Sequence, residues 1–335
     1  MNRVIIPHNY KEKLDIYQTQ LAISRVKQVF QQKLAAALCL KRVTAPLFVL
    51  PETGLNDDLN GIERAVTFDI KATGKTAQVV HSLAKWKRMA LHQYHFEVGT
   101  GLYTDMNAIR RDEDMDNLHS IYVDQWDWER VITREQRNMK FLKSVVTDIV
   151  AAIADTAQEV KKEFPALTVE LKRETAFITA QELEDLYPAL SPKERENEYT
   201  RENGTVFIMQ IGDRLKSGKP HDGRAPDYDD WKLNGDILFW NDVLGCAMEI
   251  SSMGIRVDEK ALDEQLDKTD CNYRRELPFH RMLLAGELPL TIGGGIGQSR
   301  LCMLLLQKAH IGQVQVSLWD EETMKICSQN GIVLL

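Results

Sequence analysis

The sequence lacks the features that define several large protein classes. Five cysteines are scattered over 335 residues (Cys39, Cys246, Cys271, Cys302 and Cys327) without a C-x-x-C pair, which argues against a disulfide framework or a zinc site. No apolar run reaches the length of about 18 residues that a membrane span needs, and the N-terminus lacks the apolar core of a signal peptide. We therefore expect a cytoplasmic protein with reduced thiols and no membrane contact.

An excess of positive charge is also missing. The chain has 42 Lys and Arg against 49 Asp and Glu, so its net charge is −7 and no overall basic field attracts nucleic acid. We expect no nucleic-acid partner. No internal repeat, low-complexity tract or linker divides the chain. We therefore predict one domain over residues 1–335, large enough to bury a substantial core.

Two common phosphate-binding motifs are absent. The segment Thr291–Leu306 contains four glycines but not the spacing of G-x-G-x-x-G, and no βαβ unit follows it. A P-loop at Gly74-Lys75-Thr76 would require glycine at position 69, where the chain has Asp69. Neither a dinucleotide-binding fold nor a P-loop fold is therefore predicted.

The same glycine-rich segment is nevertheless the most informative part of the chain. It predicts a short strand, a glycine-rich turn and an apolar helix that starts near Arg300. Gly295 and Gly297 allow a backbone to approach a ligand closely, and the free N–H groups of a helix start attract an anion. Arg300 adds a planar, permanent positive charge. The segment predicts a nucleotide-phosphate site, with close packing of backbone as the structural alternative.

The apolar periodicity predicts helices on a mostly antiparallel sheet. A three-to-four spacing predicts a helix at Lys13–Leu38, and Pro46 predicts that the strand Arg42–Leu50 after it is an edge strand, a candidate dimer contact. Further strands are predicted at 65–71, 78–82, 103–109, 119–130, 205–211, 236–240 and 247–257, and helices at 83–92, 145–164 and 179–203. Because strands mostly follow strands, the sheet is predicted to be antiparallel.

One predicted strand alternates polar and aromatic side chains. Alternation places Gln125, Asp127 and Glu129 on one face of the sheet and Trp126 and Trp128 on the other. The tryptophan face is predicted to pack in the core. The polar face then either meets solvent or forms part of a site.

Charged residues suggest where a nucleotide and a metal bind. The segment Ile109–Asp114 combines two arginines for phosphate with three acids, unless it is simply a solvated turn. Asp236 and Glu249, on successive predicted strands, are candidate Mg²⁺ ligands. A bulge near Ser251–Gly254 would bring Arg256 to the same face as Glu249, from which it is separated by an odd number of residues.

These segments, in this order, resemble the three motifs of class II aminoacyl-tRNA synthetases, specifically the aspartyl branch. The helix and strand around Pro46 resemble motif 1, the dimer element. Arg110 with Glu113 resembles motif 2, and Gly293–Arg300 resembles motif 3. One departure is an extra residue between Arg110 and the acid pair that contains Glu113, which leaves the role of Glu113 open.

Nearly the whole chain is similar, more closely, to the ammonia-dependent asparagine synthetase (aspartate–ammonia ligase) family. The similar segments are His81–Arg88, Tyr122–Arg130, Arg224–Trp231, Glu249–Arg256 and Gly293–Arg300. The resemblance implies a class II synthetase-like α/β (α+β) catalytic domain, with a mostly antiparallel sheet flanked by helices and a helical excursion at 150–205 between motifs 2 and 3. It also implies a homodimer that uses L-aspartate, ammonia, ATP and Mg²⁺.

The resemblance further implies roles for individual residues. Lys87 and Arg256 orient the β-carboxylate of aspartate, and Gln125 and Asp127 hold its α-ammonium group. Arg110 stabilises charge on the α-phosphate. The other implied site residues are Asp57, Ser82, Asp229 and Ser252 for substrate or ammonia, Glu113, Gly295, Gly297 and Arg300 for the nucleotide, and Asp236 and Glu249 for Mg²⁺.

Three alternatives lead to different expectations. An aspartyl-tRNA synthetase carries an anticodon-binding barrel before motif 1, whereas the first predicted helix here begins at Lys13. A glutamine-dependent enzyme carries an N-terminal cysteine nucleophile, whereas Asn2 follows Met1 and the first cysteine is Cys39. A synthetase-like binding module would have lost the arginines and acids that bind ATP. We therefore expect a ligase that uses free ammonia.

Overall fold

The computed structural model describes residues 4–57 and 63–335. Within these ranges the α-helices are α1 (Ile16–Leu38), α2 (Ala84–Gln93), α3 (Met139–Glu163), α4 (Ala180–Leu186), α5 (Pro192–Asn203), α6 (Glu259–Lys268), α7 (Pro278–Leu284), α8 (Gln298–Leu305) and α9 (Glu321–Gln329). The strands are β1 (Leu40–Arg42), β2 (Phe48–Val49), β3 (Thr67–Ile70), β4 (Lys75–Val79), β5 (Gly101–Ile109), β6 (Tyr122–Val131), β7 (Ala176–Thr179), β8 (Thr205–Met209), β9 (Asp229–Asn241), β10 (Cys246–Arg256) and β11 (Thr291–Gly297).

An 8-stranded sheet organises the molecule, in the order β1-β5-β6-β11-β10-β9-β8-β7. Its outermost pairs, β1 with β5 and β7 with β8, are parallel, and all pairs between them are antiparallel. A 3-stranded antiparallel sheet, in the order β2-β4-β3, lies apart from it. The predicted mostly antiparallel sheet is confirmed.

Helix α1 forms where the apolar periodicity predicted it. Asp15 caps its start by accepting a hydrogen bond from the Gln18 N–H, and the Gln18 side chain bonds back to the Asp15 N–H. The helix ends at Cys39, which adopts a left-handed conformation (φ 56°). Val26 and Phe30 of this helix are fully buried, and the helix packs beside α3.

The core lies between these helices and one face of the large sheet. Trp126 and Trp128 of β6 are both fully buried there, and the Phe30 and Trp126 ring centroids are 4.8 Å apart. Truncating such a side chain to alanine typically costs about 3–5 kcal/mol. The predicted alternation along β6 is therefore confirmed, since the tryptophans pack in the core while the polar residues face the opposite side of the sheet. None of the helices in the described ranges combines the length and apolar character that a bilayer span requires.

The predicted edge strand Arg42–Leu50 is instead two strands in different sheets. β1 ends at Arg42 on the edge of the large sheet, and β2 begins at Phe48 on the edge of the small one. Pro46 lies between them. Proline donates no ladder hydrogen bond and restricts the residue before it, so it ends the first pairing. The edge position was predicted correctly, but strand continuity was not.

The glycine-rich turn predicted before Arg300 is also wrong. Gly293, Gly294 and Gly295 lie inside β11, a strand paired on both sides, and α8 begins directly after Gly297. Glycine is a weak strand former in general. Here the neighbouring strands supply the side chains that fill the space above the glycines, so tertiary packing overrides local propensity.

Two further boundaries differ from the sequence prediction. The region 150–205 is not purely helical, because the four-residue strand β7 pairs with β8 at the sheet edge. The strand predicted at 236–240 is much longer, since β9 starts at Asp229. This extension brings Asp229 into the sheet next to Arg256.

Candidate active site

A cavity of about 780 Å³ lies on the polar face of the central strands. Several predicted site residues line it: Arg110, Glu113, Gln125, Glu249, Ser252, Gly295, Gly297 and Arg300. The remaining ones lie next to these on the same strands or in a buried cluster beside the cavity. Strands β6, β10 and β11 supply the floor because their outward side chains are polar or absent.

Arg110 follows strand β5, and its backbone N–H donates to the Ile121 carbonyl at 2.8 Å. Its side chain is half-buried in the cavity wall, and its Nε is buried without a hydrogen-bond partner. Within the described residues its guanidinium makes no ion pair. A buried, unpaired N–H donor is costly unless a ligand satisfies it, so Arg110 is poised for an anion.

Arg300 projects from the first turn of α8. Its Nη1 donates to the Glu249 carbonyl at 3.2 Å and lies 3.7 Å from the Glu249 carboxylate. The start of α8 is fixed by Asp124, which accepts a hydrogen bond from the Ser299 N–H at 3.0 Å. Arg300 is therefore held in the cavity lining, in contact with a candidate metal ligand.

Glu249 of β10 lines the cavity, and Asp236 lies on the neighbouring strand β9, where it pairs with Ser252. A register shift between Glu249 and Ser251 places Glu249, Ser252 and Arg256 on one face of the sheet. The predicted bulge is therefore present, about one residue before the predicted position. Burial raises the pKa of Asp236 to about 7, and the neighbouring Glu249 adds to this effect.

This carboxylate pair fits a magnesium ion. Asp236 is 7% exposed, and Arg224 bonds to its Oδ2, but its buried Oδ1 has no hydrogen-bond partner among the described residues, which is unfavourable unless a ligand joins it. In the described ranges no three His, Cys, Asp or Glu side chains cluster as metal ligands. Mg²⁺ commonly uses one or two carboxylates together with phosphate oxygens, so a pair beside a phosphate site is sufficient.

Lys87 reaches the buried cluster from α2. Its Nζ donates to the Gly294 carbonyl at 2.9 Å and lies 3.4 Å from Asp127 and 4.0 Å from Glu129. Burial lowers the pKa of Lys87, and the two acids partly oppose that effect. Lys87 and Asp127, predicted to hold opposite ends of aspartate, therefore contact each other directly.

Arg256 is bound on two sides by acids. Its Nε and Nη2 donate to Glu129, with Nη2 2.7 Å from Oε2, and its Nη1 donates to Asp229. Thr291 donates a further hydrogen bond to Glu129 at 2.6 Å. Burial alone would lower the pKa of Arg256, but Glu129 and Asp229 raise it above its ordinary value. The guanidinium plane is thereby fixed, with N–H groups still available to a substrate carboxylate.

Asp57, Ser82 and Asp229 lie beside this cluster. The Ser82 hydroxyl donates to Asp57 Oδ2 at 3.0 Å, and the Asp57 carbonyl lies 2.9 Å from His81 Nδ1. Burial raises the pKa of Asp229. Burial and the charges of Asp57 and Asp229 raise the pKa of Tyr228 well above its ordinary value, which places these groups near one another.

Sequence reasoning missed three buried or half-buried residues of this region. Glu129 lay on the predicted polar face but received no role, although it joins Lys87 to Arg256. Arg224 pairs with Asp236, and Asp227 anchors the segment that carries it. Both lie in the segment 224–231 that supported the family resemblance, which was the only available signal.

Comparison with known proteins identifies the family. The aspartate–ammonia ligase family model matches residues 17–331. The chain belongs to this family. An aspartate–ammonia ligase of Clostridium tetani is 58% identical over 99% of this chain and 98% of its own length, and one of Ruminiclostridium cellulolyticum is 58% identical over all of both chains. The predicted family and enzyme class, an aspartate–ammonia ligase, are confirmed.

Solved structures support the fold of this ligase. An asparaginyl-tRNA synthetase from Pyrococcus horikoshii, complexed with asparaginyl-adenylate, has a TM-score of 0.62 at 16% identity, over 90% of this chain and 70% of that one. An aspartyl-tRNA synthetase from Entamoeba histolytica has a TM-score of 0.59 at 16% identity, over 91% of this chain and 59% of that one. The predicted class II synthetase-like fold is confirmed.

Proposed function

We propose that the cavity makes L-asparagine from L-aspartate, ammonia and ATP through a β-aspartyl adenylate. The observation that carries this proposal is that one cavity combines the unpaired Arg110, Arg300 and a carboxylate pair with an adjoining cluster around Lys87 and Arg256. The first set suits a triphosphate with its metal, and the second suits a small dicarboxylic amino acid.

In the first step an oxygen of the β-carboxylate attacks the α-phosphorus of ATP, and the bond from that phosphorus to pyrophosphate breaks. Arg110 stabilises the charge that develops on the α-phosphate, because its guanidinium has no competing ion pair in the part of the chain that the structure describes. Arg300 binds the distal phosphates or the adenine, and Glu113, Gly295 and Gly297 border the nucleotide. Positioning and charge stabilisation supply this catalysis, without a protein nucleophile.

Residues of the buried cluster orient the amino acid. Lys87 and Arg256 direct the β-carboxylate, and Gln125 and Asp127 pair with the α-ammonium group. The acids that already contact both cations oppose the loss of positive charge that burial favours. Ser82 and Ser252 add hydrogen-bonding groups near the substrate.

Asp236 and Glu249 would hold Mg²⁺, and the bound ion would offset the negative charge of pyrophosphate as it leaves. In the second step, ammonia attacks the acyl carbon, the bond to the AMP oxygen breaks and one proton leaves the nitrogen. Asp57 and Asp229 are the residues that we assign to contact with ammonia or the substrate. The hydrogen bonds of Asp229 with Arg256 and of Asp57 with Ser82 support this assignment.

The proposal is tested by measuring AMP, pyrophosphate and asparagine from ATP, Mg²⁺ and L-aspartate. Ammonium chloride, glutamine and aspartate-specific tRNA are compared as acceptors. We expect asparagine in a one-to-one ratio with AMP only with ammonium. Formation of aspartyl-tRNA without asparagine would instead indicate a tRNA synthetase, and no ATP cleavage would indicate a binding module.

The two arginines of the nucleotide site are tested by Arg110→Ala and Arg300→Ala. Each variant should lose adenylate formation by about a hundredfold or more, since charge stabilisation of the transition state is removed. The far-UV circular dichroism should not change. Arg214→Ala removes an exposed arginine outside the cavity and serves as the matched control. Normal pyrophosphate release in either cavity variant would contradict its role.

A further inference from the structure

Each carboxylate of the candidate metal pair, Asp236 and Glu249, already forms an ion pair with an arginine. Arg300 lies 3.7 Å from Glu249, and Arg224 donates through Nη2 to Asp236 Oδ2. Arg224 comes from the segment between β8 and β9, lines the cavity and has a side chain only 9% exposed. Its Nη1 also donates to Asp222 at 3.0 Å. The carboxylates are therefore paired with internal cations.

The pair of Arg224 with Asp236 is incomplete. Arg224 Nε and Asp236 Oδ1 are both buried and have no hydrogen-bond partner among residues 4–57 and 63–335. Leaving one donor and one acceptor unsatisfied in the same buried pair is costly, and a better partner for each would recover that free energy. A divalent cation satisfies the acceptor, and a phosphate oxygen satisfies the donor.

Metal and arginine compete for the same carboxylate group, although Arg224 bonds to Oδ2 and a metal would reach Oδ1 first. A guanidinium bonded to Asp236 Oδ2 places positive charge next to the position that a metal ligated by Asp236 would take. Mg²⁺ with ATP resolves this competition because it supplies a cation to the carboxylates and an anion to the arginines at once. The cavity is open to both, since Arg224, Arg300 and Glu249 all line it.

We propose that Arg224 is an exchangeable internal cation of the metal site, which leaves Asp236 when Mg²⁺ binds and then contacts the phosphates of ATP. This inference rests on the proposed function. It adds Arg224 to the residues that bind the nucleotide. It also predicts a low affinity for the metal ion without nucleotide, because the ion must displace the arginine.

The first test measures metal binding without nucleotide. Mn²⁺ is titrated into wild type and Arg224→Gln and followed by electron paramagnetic resonance, at mildly alkaline pH so that protons compete less for the carboxylates. We expect the variant to bind Mn²⁺ about tenfold more tightly, since a charge-assisted hydrogen bond no longer competes. Its affinity for metal-free ATP should fall by about tenfold.

Arg214→Gln is the matched control. It removes the same charge from an exposed position on the same segment, where the Arg214 side chain donates to the Gly218 carbonyl. Its Mn²⁺ and ATP affinities should stay at wild-type values. Unchanged or weaker Mn²⁺ binding in Arg224→Gln would overturn the exchange, as would an equal gain in Arg214→Gln.

A second measurement uses the wild-type protein and so does not depend on the variant folding. Labelling with an arginine-specific dicarbonyl, read by mass spectrometry, reports the accessibility of each arginine. Mg²⁺ alone should increase labelling of Arg224 and ATP with Mg²⁺ should protect it, while Arg214 stays constant. Labelling of Arg224 that ignores Mg²⁺ would overturn the proposal, whereas failure of asparagine synthesis in wild type would overturn the proposed function instead.

Discussion

Glu129 lies at the centre of the buried cluster, where it accepts hydrogen bonds from Arg256 and Thr291 and lies 4.0 Å from Lys87. The space for its carboxylate exists because Gly293 is opposite it on the neighbouring strand. A Cβ at Gly293 would overlap Glu129 and would come within 2.7 Å of Arg256 Nη2. The absence of a side chain at Gly293 is therefore as important for the geometry of this cluster as the charges of Glu129, Arg256 and Lys87.

Gly293→Ala should therefore displace Glu129 and Arg256. We expect the KM for aspartate to rise about tenfold or more, with a stability loss of about 1–3 kcal/mol from overpacking. Steady-state kinetics and urea unfolding measure the two effects. Gly312→Ala is the control, since its Cβ would meet Leu334 at 2.9 Å and Trp319 at 3.0 Å, away from the Glu129 cluster. It should lose stability with little change in KM, and equal KM effects in both variants would contradict this account.

At the scale of elements, the segment between β8 and β9 is anchored by Asp227. This fully buried acid lies 3.0 Å from Lys85 of α2, 2.8 Å from Arg274 and 2.8 Å from His280 Nε2 of α7. Although burial raises the pKa of Asp227, these partners lower it overall to well below its ordinary value. Asp227 thus fixes the backbone between Arg224, which contacts Asp236, and Asp229, which contacts Arg256.

This anchor predicts a loss of stability in acid. Burial lowers the pKa of His280, so the unfolded chain takes up that proton first as the pH falls. Stability should therefore be full above the ordinary histidine pKa of about 6.5 and decrease below it. Because the pKa of Asp227 is also lowered in the folded protein, its contribution to stability is likewise lost as the pH falls, but only from about pH 4 downward.

Urea unfolding at several pH values measures this dependence. His280→Asn should be less stable than wild type near neutral pH and should lose part of the decrease between about pH 7 and 5. His310, whose pKa burial lowers to about 4, keeps its own contribution in this variant. The exposed His92→Asn is the control and should follow the wild-type curve. An unchanged slope in His280→Asn would contradict the prediction.

Elements differ in how well the sequence predicts them. Helix α1 and the alternation in β6 were predicted because each buries an apolar face that repeats along the chain. A short strand was also predicted at β11, but not its extension through Gly293–Gly297, because these glycines leave space for Glu129 and Asp127 on another strand. Strand β7 was missed because four residues carry too little pattern.

The site shows the same division. Residues inside recognisable segments, such as Arg110 and Arg300, were found, and the structure brings both to one cavity. Glu129 and Asp227 were not, since their importance comes from partners that are distant in sequence. The direct contact between Lys87 and Asp127 likewise depends on how α2 packs against β6.

At the scale of the whole molecule, α1 leaves apolar side chains uncovered. Ile16, Tyr17 and Leu21 are 51%, 73% and 48% exposed, and Leu47 and Phe48 are exposed next to Pro46. These residues belong to the segment that resembles the dimer element. Exposed apolar side chains grouped on one element are typical of an interface, so the homodimer stays a prediction with a defined surface.

Leu21→Arg should weaken that dimer, because it places a charge where an apolar contact is expected. Sedimentation velocity over a range of protein concentrations measures the change, and we expect wild type to sediment as a dimer and the variant to shift toward monomer. Tyr273→Arg, at an exposed tyrosine outside this segment, is the control and should stay dimeric. A monomeric wild type would contradict the prediction.

Because the chain changes sheets at Pro46, the segment is connected to both the large sheet and the small sheet. β1 continues into the large sheet through β5, which leads to Arg110, whereas β2 pairs with β4, which leads directly to Ser82 and then α2. A second subunit bound to this segment would thus contact a part of the chain that connects to both the nucleotide residues and the amino-acid residues of the site. Communication between two active sites would then require no additional domain.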